Sequence, residues 1–387
     1  MSDPLKLLMY NPLSTRMGGG GDRWLAEVIP RLVGKGINVT LMTTSFIPKS
    51  YRATSTKDHV ERIIQAGARY IEIPCSSVFE RINHPMLSGQ SLLALSGAIR
   101  KHDCVYFLNA YAFQDMLVNL ATIIAPGVPV ISAQHASMFQ GQILKDTYTK
   151  TISRALLECF DAFHVLNRED YETYKKWGLD KVFLIPNGVD VDWFSPAKSE
   201  KTNDFQVLSV GRLDQQKGID VLIQAITLLN QELDESLRPR FRICGTGPLA
   251  EKVDEFAQRT HNVSYLGFVG EKELLRRYRR ADLFVMPSKR ETFGLVAMEA
   301  MSCGVPVITS DIPGPRTFVE RDYGMMVPPS NPRALAKAIQ RFYTLWKEKP
   351  DAYKKMGELA REKCVKEYNW NRIVDRLTKM IQTVSEF

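Results

Sequence analysis

The order strand, glycine-rich loop, helix, strand occurs in each half of the chain and constrains the fold more than any other sequence feature. In the first half, the apolar run Leu5–Tyr10 leads to four consecutive glycines at 18–21. A helical pattern from Asp22 to Val33 and a second apolar run, Val39–Thr43, follow. Such a unit is a right-handed βαβ crossover, in which helices cover a parallel sheet. The sequence therefore predicts an α/β fold.

The same order starts afresh after Pro186. Phe205–Val210 ends in Gly211, and a helical pattern at Ile219–Leu233 leads to the strand-like run Arg240–Cys244. Other short apolar runs alternate with helical stretches, as in a parallel sheet covered on both faces: Tyr70–Ile73, Val105–Leu108, Val130–Ala133, Ala162–Val165, Val263–Leu266, Leu283–Met286 and Val305–Thr309. We predict two Rossmann-like doubly wound domains in series, residues 1–185 and 186–365. Open sheets of this kind bind ligands at the carboxyl ends of their strands, so two facing domains form a cleft with two walls.

Charge and cysteine spacing exclude several classes of protein. The 387 residues carry a net charge of +8 without a basic arm or tail, which is not typical of nucleic-acid binding. The six cysteines form no C-x-x-C pair, which argues against zinc knuckles and disulfide scaffolds. The amino terminus lacks the pattern of a signal peptide, and the longest apolar stretch, 116–131, is broken by two prolines. We expect a soluble, cytoplasmic protein.

Two cations stand in the first loop of the second domain. Arg212 follows the terminal glycine of a strand, and Lys217 precedes Gly218 and the next helix. One strand-to-helix loop therefore carries an arginine fork and a lysine point charge, a pair that suits a diphosphate. The alternative is that both are solvated residues of a polar loop.

A second loop carries two carboxylates and the start of a helix. The segment 288–299 follows the strand Leu283–Met286, and its helix is predicted to begin near Gly294. The amides of residues 293–295 would face an anion at this helix start. Glu291 precedes the helix and Glu299 lies within it, so the two acids flank the anion site, where they can accept hydrogen bonds from ribose and sugar hydroxyls. The alternative is two solvated glutamates, which the apolar surroundings of Glu299 disfavour.

These segments together resemble the retaining nucleotide-sugar glycosyltransferases of family 4, which have the GT-B fold. The resemblance rests on five motifs: Gly211-Arg-Leu-Asp-Gln-Gln-Lys-Gly218, the E-x7-E element Glu291–Glu299, Cys303-Gly-Val-Pro-Val307, Ile185-Pro-Asn-Gly-Val-Asp190 and Gly19-Gly-Gly-Asp-Arg23. Asp22 stands in the last motif where the family has glutamate. The segment from Tyr368 resembles the family's carboxy-terminal helix, so residues 366–387 are expected to cross back to the first domain.

The resemblance implies roles for individual residues. Arg212 and Lys217 would hold the diphosphate of the donor, Glu299 the ribose hydroxyls and Glu291 the hydroxyls of the transferred sugar. His135 would contact the donor sugar, although a strand-end histidine satisfied by its neighbours is the alternative. The remaining donor-binding residues would be Gly19, Gly20, Gly21, Gly245, Thr246, Gly247, Phe293, Gly294 and Leu295. Asn109 and Tyr111 are assigned to the acceptor side from their position after the strand Val105–Leu108.

The implied activity is metal-independent transfer of a hexosyl unit, with retention, from a UDP- or GDP-sugar to a hydroxyl of a saccharide or lipid-linked glycan. No cofactor is expected besides this co-substrate. A nucleotide-sugar 2-epimerase and a non-catalytic nucleotide-sugar-binding protein are the alternatives.

Two further sequence signals are weighed separately. Asp190-Val-Asp192 matches a D-x-D metal motif, but it falls in a segment where the family has a turn. The basic run Arg276–Arg280 is interpreted as a solvated helix face, with weak contact to an anionic membrane at the inner face as the alternative.

Overall fold

The chain forms two compact units. The computed structural model describes residues 3–16, 20–47, 58–76, 86–109, 114–135, 147, 149–197 and 203–386. Unit 1 is Met1–Pro186 together with Asn371–Phe387, and unit 2 is Asn187–Trp370. The chain thus leaves unit 1 once and returns to it with its last helix.

Unit 1 is built on a parallel sheet with the order β3-β2-β1-β4-β5-β6-β7 in the described residues. Its strands are β1 (Lys6–Asn11), β2 (Asn38–Thr44), β3 (Arg69–Ile73), β4 (Cys104–Asn109), β5 (Val130–Gln134), β6 (Ala162–Val165) and β7 (Val182–Leu184). Its helices are α1 (Gly20–Gly34), α2 (Asp58–Gln65), α3 (Gly89–Ile99), α4 (Gln114–Ile124), α5 (Arg154–Leu157, after a π-helical turn at Thr149–Ser153) and α6 (Arg168–Lys176). The strand order reverses between β1 and β4, where a doubly wound sheet has its ligand crevice.

Unit 2 repeats this plan with the sheet order β10-β9-β8-β11-β12-β13. Its strands are β8 (Gln206–Val210), β9 (Arg240–Cys244), β10 (Val263–Tyr265), β11 (Leu283–Met286), β12 (Val307–Ser310) and β13 (Gly324–Val327). Its helices are α7 (Ile219–Glu232), a 3₁₀ turn (Glu235–Leu237), α8 (Ala250–Gln258), α9 (Glu271–Arg280), α10 (Leu295–Ser302), α11 (Pro313–Arg316), α12 (Pro332–Glu348) and α13 (Pro350–Glu367). The order reverses between β8 and β11.

The central strands are apolar because helices cover both faces of each sheet. Every residue of β11 is buried, and so is every residue of β6, including the polar His164. The prediction of an α/β fold with two Rossmann-like domains is confirmed. The sequence reading missed the edge strands β7 and β13, because half-buried edge strands of three or four residues lack a continuous apolar run.

The last helix, α14 (Trp370–Ser385), completes unit 1. Its apolar stripe is buried, with Ile373, Leu377 and Ile381 each at most 1% exposed. The Arg376 guanidinium donates to the carbonyl of Leu184 over 2.6 Å. None of the helices in the described ranges has the length and apolarity to cross a lipid bilayer.

The two segments that link the units lie side by side. The amide of Val189 donates to the carbonyl of Tyr368 over 2.7 Å, and Val189 forms a parallel bridge with Asn369. The predicted boundaries fell at 185/186 and 365/366, and the units divide at 186/187 and 370/371.

Candidate functional site

In the loop after β8, one carboxylate contacts both cationic residues, Arg212 through its guanidinium and Lys217 through its backbone. Asp214 Oδ2 forms an ion pair with the Arg212 guanidinium at 2.5 Å, and Asp214 Oδ1 accepts the backbone N–H of Lys217 over 2.8 Å. The side chains of Arg212 and Lys217 are only 28% and 33% exposed. The loop is therefore a folded turn with two fixed cations, and the alternative of solvated residues does not describe it.

Lys217 connects this loop to the loop after β11. Its ammonium forms an ion pair with Glu291, whose side chain is 16% exposed. A backbone hydrogen bond runs beside this pair, from the amide of Lys289 to the carbonyl of Gln216 at 2.8 Å. The loops after β8 and β11, at the point where the strand order reverses, are thus joined by charge and by backbone.

Glycines make these close approaches possible. Gly218, directly before α7, has φ 69°, and a Cβ at this position would lie 1.9 Å from the carbonyl oxygen of Pro287. Gly245 has φ 135°, and a Cβ there would lie 1.9 Å from the carbonyl oxygen of Gly211. Only glycine fits both the left-handed backbone and the contact. The Gly245–Gly247 segment therefore packs directly against the Arg212 loop.

The helix α10 opens where the sequence predicted. Gly294 is its N-cap residue, and no side chain caps it. Within the described residues, the amides of Phe293, Gly294 and Leu295 have no protein acceptor. The Phe293 ring, 2% exposed, packs on Phe318 with centroids 5.2 Å apart and fixes the approach to the helix. Unpaired N–H groups at a helix start attract anions.

The two glutamates of this region have different partners. Glu291 pairs with Lys217, whereas Glu299 is 3% exposed and accepts a hydrogen bond from the Tyr278 hydroxyl over 2.8 Å. The alternative of two solvated glutamates is therefore wrong for Glu299. The sequence analysis missed Tyr278, although its position three and four residues after Leu275 and Leu274 places it on the apolar face of α9.

Three of the candidates in unit 1 can be placed completely. Gly20 and Gly21 are exposed residues of the first turn of α1, and His135 directly follows β5. Asn109 is the last residue of β4 and pairs with Gln134, and only its backbone is described. Gly19 and Tyr111 lie outside the described residues.

His135 lies in a group of aromatic and imidazole rings. Its Nε2 is 3.0 Å from the Tyr106 hydroxyl, and its ring meets the Trp24 ring edge-on with centroids 4.4 Å apart. Burial, and secondarily the neighbouring His164, lower the pKa of His135 well below its ordinary value. His135 is therefore neutral at physiological pH. Neither Tyr106 nor His164 was identified from the sequence, since nothing in a strand pattern marks a buried polar network.

The D-x-D segment is a capped turn. Asp190 Oδ1 accepts the backbone N–H groups of Asp192 and Trp193 at 3.2 and 3.0 Å. Among the described residues, no group of three or more His, Cys, Asp or Glu side chains has the arrangement of a metal site.

The basic run on α9 differs from the expected solvated face. All four of its arginines are half-buried. Arg276 and Arg277 form ion pairs with Glu273 at 2.7 and 2.6 Å, and Arg279 Nε donates to the carbonyl of Ser195 over 2.8 Å. Hydrogen bonding from Arg276 and the charges of both arginines hold the pKa of Glu273 below its ordinary value. Arg276 and Arg277 thus pair within α9, and Arg279 connects the helix to the segment at Ser195.

Two doubly wound parallel sheets, the second carrying a loop cluster with two cations and a helix start, define a two-domain α/β protein of the GT-B fold class. Two family models match the chain consecutively: Glycosyltransferase Family 4 at residues 18–193 and Glycosyl transferases group 1 at residues 191–363. The protein belongs to the group 1 glycosyltransferases.

Individual relatives agree with this assignment. A D-inositol 3-phosphate glycosyltransferase of Xylanimonas cellulosilytica is 26% identical over an alignment of 357 positions that covers 83% of this chain and 82% of the relative. An uncharacterized glycosyltransferase of Methanocaldococcus jannaschii is 28% identical over an alignment of 223 positions, which covers about half of each chain (54% of this chain and 55% of the relative).

Solved structures share the fold over nearly the whole chain. Anabaena HepE, solved with UDP and glucose, superposes with a TM-score of 0.76 at 17% identity, covering 98% of this chain and 100% of HepE. The sucrose-phosphate synthase of Thermosynechococcus elongatus has a TM-score of 0.75 at 20% identity and covers 98% of both chains.

Proposed function

We propose that this glycosyltransferase moves a hexosyl unit from a UDP- or GDP-sugar to a hydroxyl of a saccharide or lipid-linked glycan, with retention of anomeric configuration. One observation carries the proposal. At the carboxyl edge of the unit 2 sheet, the loops after β9 and β11 are each hydrogen-bonded to the loop after β8. They bring two cations, a helix start and an ion-paired carboxylate to one place, which suits a sugar-bearing diphosphate.

Each group has a chemical task in this proposal. Breaking the bond between sugar and diphosphate leaves negative charge on the phosphate, which Arg212, Lys217 and the amides at the start of α10 would stabilise. Glu299, held by Tyr278, would accept the ribose hydroxyls, and Glu291 those of the sugar. We assign no covalent nucleophile, and the leaving phosphate would take the proton of the acceptor hydroxyl.

A panel assay tests the proposal. The protein is incubated with UDP- and GDP-sugars, with and without acceptors, and free nucleoside diphosphate and the anomeric configuration of the product are followed. The acceptor set includes D-inositol 3-phosphate, because several relatives carry that name. Acceptor-dependent release with a retained product is the expected result. An epimerised nucleotide sugar would indicate the 2-epimerase, and binding without turnover would indicate the non-catalytic alternative.

The proposed chemistry draws its positive charge from side chains and amides, so removal of divalent metal is expected to leave the rate unchanged. The measurement is nucleoside diphosphate release before and after treatment with a chelator. A rate that falls with the chelator and returns on addition of Mg²⁺ or Mn²⁺ would contradict metal independence.

A further inference from the structure

A buried chain of hydrogen bonds reaches His135 from the interior of unit 1. Tyr106 lies on β4 and His164 on β6, on either side of β5, which ends next to His135. The Tyr106 hydroxyl is 2.5 Å from His164 Nδ1 and 3.0 Å from His135 Nε2. The other nitrogen of His164, Nε2, is 2.7 Å from the carbonyl oxygen of Ile185. The Trp24 ring stacks on Tyr106 and borders His135.

The hydrogen bond between His164 and Ile185 determines where the protons of the buried network lie. A carbonyl oxygen can only accept, so His164 must carry a proton on Nε2. Burial lowers the pKa of His164 to about 4, and the charge of Arg376 acts in the same direction. The ring is therefore neutral at pH 7, and its Nδ1 has a lone pair that needs a donor.

The Tyr106 hydroxyl is that donor, so its single proton lies in the hydrogen bond to His164 Nδ1. Burial raises the pKa of Tyr106 well above its ordinary value, so the hydroxyl keeps its proton. Its oxygen then faces His135 Nε2 with a lone pair, and His135 must supply the proton of that hydrogen bond. A neutral imidazole protonated on Nε2 has its remaining lone pair on Nδ1. Among the described residues, His135 Nδ1 has no hydrogen-bond partner.

We propose that Tyr106 and His164 are positioning residues that hold His135 as its Nε2-protonated tautomer, so that Nδ1 accepts a hydrogen bond from a hydroxyl of the transferred sugar. This inference rests on the proposed function, in which His135 contacts that sugar. The Nδ1 lone pair requires a hydroxyl as its partner, and a hexosyl donor supplies one.

The tautomer can be measured without substrate. Long-range ¹H–¹⁵N spectra of the full chain, labelled at histidine, distinguish protonated from unprotonated ring nitrogens, and His135→Gln identifies the signals of His135. We expect Nδ1 of His135 to be unprotonated in the parent. We expect Tyr106→Phe, which removes only the hydroxyl, to give a mixture of tautomers. Tyr70→Phe is the matched control, since it removes a bonded hydroxyl on β3. A protonated Nδ1 in the parent, or no change in Tyr106→Phe, would overturn the proposal.

Turnover supplies the second readout. Tyr106→Phe is expected to lower hexosyl turnover about tenfold, the value of one hydrogen bond of about 1.4 kcal/mol. Unchanged turnover in Tyr106→Phe would refute the positioning role. Absence of turnover with every nucleotide sugar would refute the proposed function itself, whereas turnover with Nδ1 protonated would refute only the tautomer assignment.

Discussion

Carboxylates hold both the backbone and the side-chain ammonium of Lys217. Its backbone N–H is bonded to Asp214 and its ammonium to Glu291, two carboxylates from different loops. A lysine normally loses considerable side-chain entropy when it is ordered around a ligand. Here that ordering is already present in the folded chain, and charge that develops on a neighbouring phosphate would meet a preorganised cation.

Lys217→Ala is therefore expected to lower kcat by about 10²- to 10³-fold while changing donor affinity much less, because the lost charge matters most in the transition state. Lys289→Ala is the matched control. Lys289 is 30% exposed and pairs with Asp220 at 2.7 Å, and the proposal gives it no role. The measurement is nucleoside diphosphate release over a range of donor concentrations. Equal kcat in Lys217→Ala and the parent would remove Lys217 from the mechanism.

At the residue scale, sequence reasoning identified the charged candidate residues more readily than the side chains that form hydrogen bonds and ion pairs with them. The motifs identified Arg212, Lys217, Glu291 and Glu299, whose charges are unusual next to strand ends. Asp214, Tyr278 and His164 were missed, because their roles depend on which side chain lies opposite in the folded chain. An aspartate three residues before a lysine in a loop is a signal for a capped turn that could have indicated Asp214.

At the scale of elements, the site depends on how closely the strand ends and helix starts approach one another. Gly218 ends the Arg212 loop and starts α7 against the carbonyl of Pro287. Any side chain there must push apart the loops after β8 and β11, because backbone cannot yield as a flexible side chain does.

We expect Gly218→Ala to destabilise unit 2 by about 2 kcal/mol or more beyond the control Gly267→Ala. Gly267 has φ 63°, close to the 69° of Gly218, but a Cβ there meets no atom within 4 Å. The pair therefore separates the steric contact from the backbone strain. Urea unfolding of both variants measures the difference, and equal stabilities would show that the contact with Pro287 costs nothing.

The elements could be predicted from the sequence where burial is continuous. β6 and β11 have the predicted bounds, because apolar runs flanked by polar residues identify strands covered on both faces. β9 also has its predicted bounds, although Arg240 and Arg242 alternate with its apolar residues. Strands β7 and β13 were not predicted, since an edge strand takes its conformation from the neighbour to which it bonds.

At the scale of the whole molecule, two buried groups of unit 1 should make its stability depend on pH in opposite senses. His164 has a pKa of about 4 in the folded chain and about 6.5 when unfolded, so the unfolded chain binds more protons in that range. Its contribution to stability is present above about pH 6.5 and is lost as the pH falls toward 4. Asp170 acts in the opposite sense, since burial raises its pKa to about 6.

His164→Asn is therefore expected to flatten the rise of unit 1 stability between about pH 4 and 6.5 by up to about 1.4 kcal/mol per pH unit. Asp170→Asn should steepen the same rise, because it removes a group whose contribution decreases as the pH increases. Hydrogen exchange of the β6 peptide, measured as a function of urea concentration, reports on the unfolding of unit 1. Parallel pH curves for the parent and His164→Asn would contradict the assignment.

The adjacent linking segments give the molecule a nested architecture. Unit 2 is an uninterrupted stretch of chain, whereas unit 1 is completed only by α14. A polypeptide ending at Pro186 would leave the apolar groove for Ile373 and Leu377 open to water, and we expect it to aggregate. Excision of residues 187–370 with a short splice from Pro186 to Asn371 would restore that groove. Unit 2 is thus a domain inserted into unit 1. It can be replaced as one piece through the same two junctions, without changes to the sequence of unit 1.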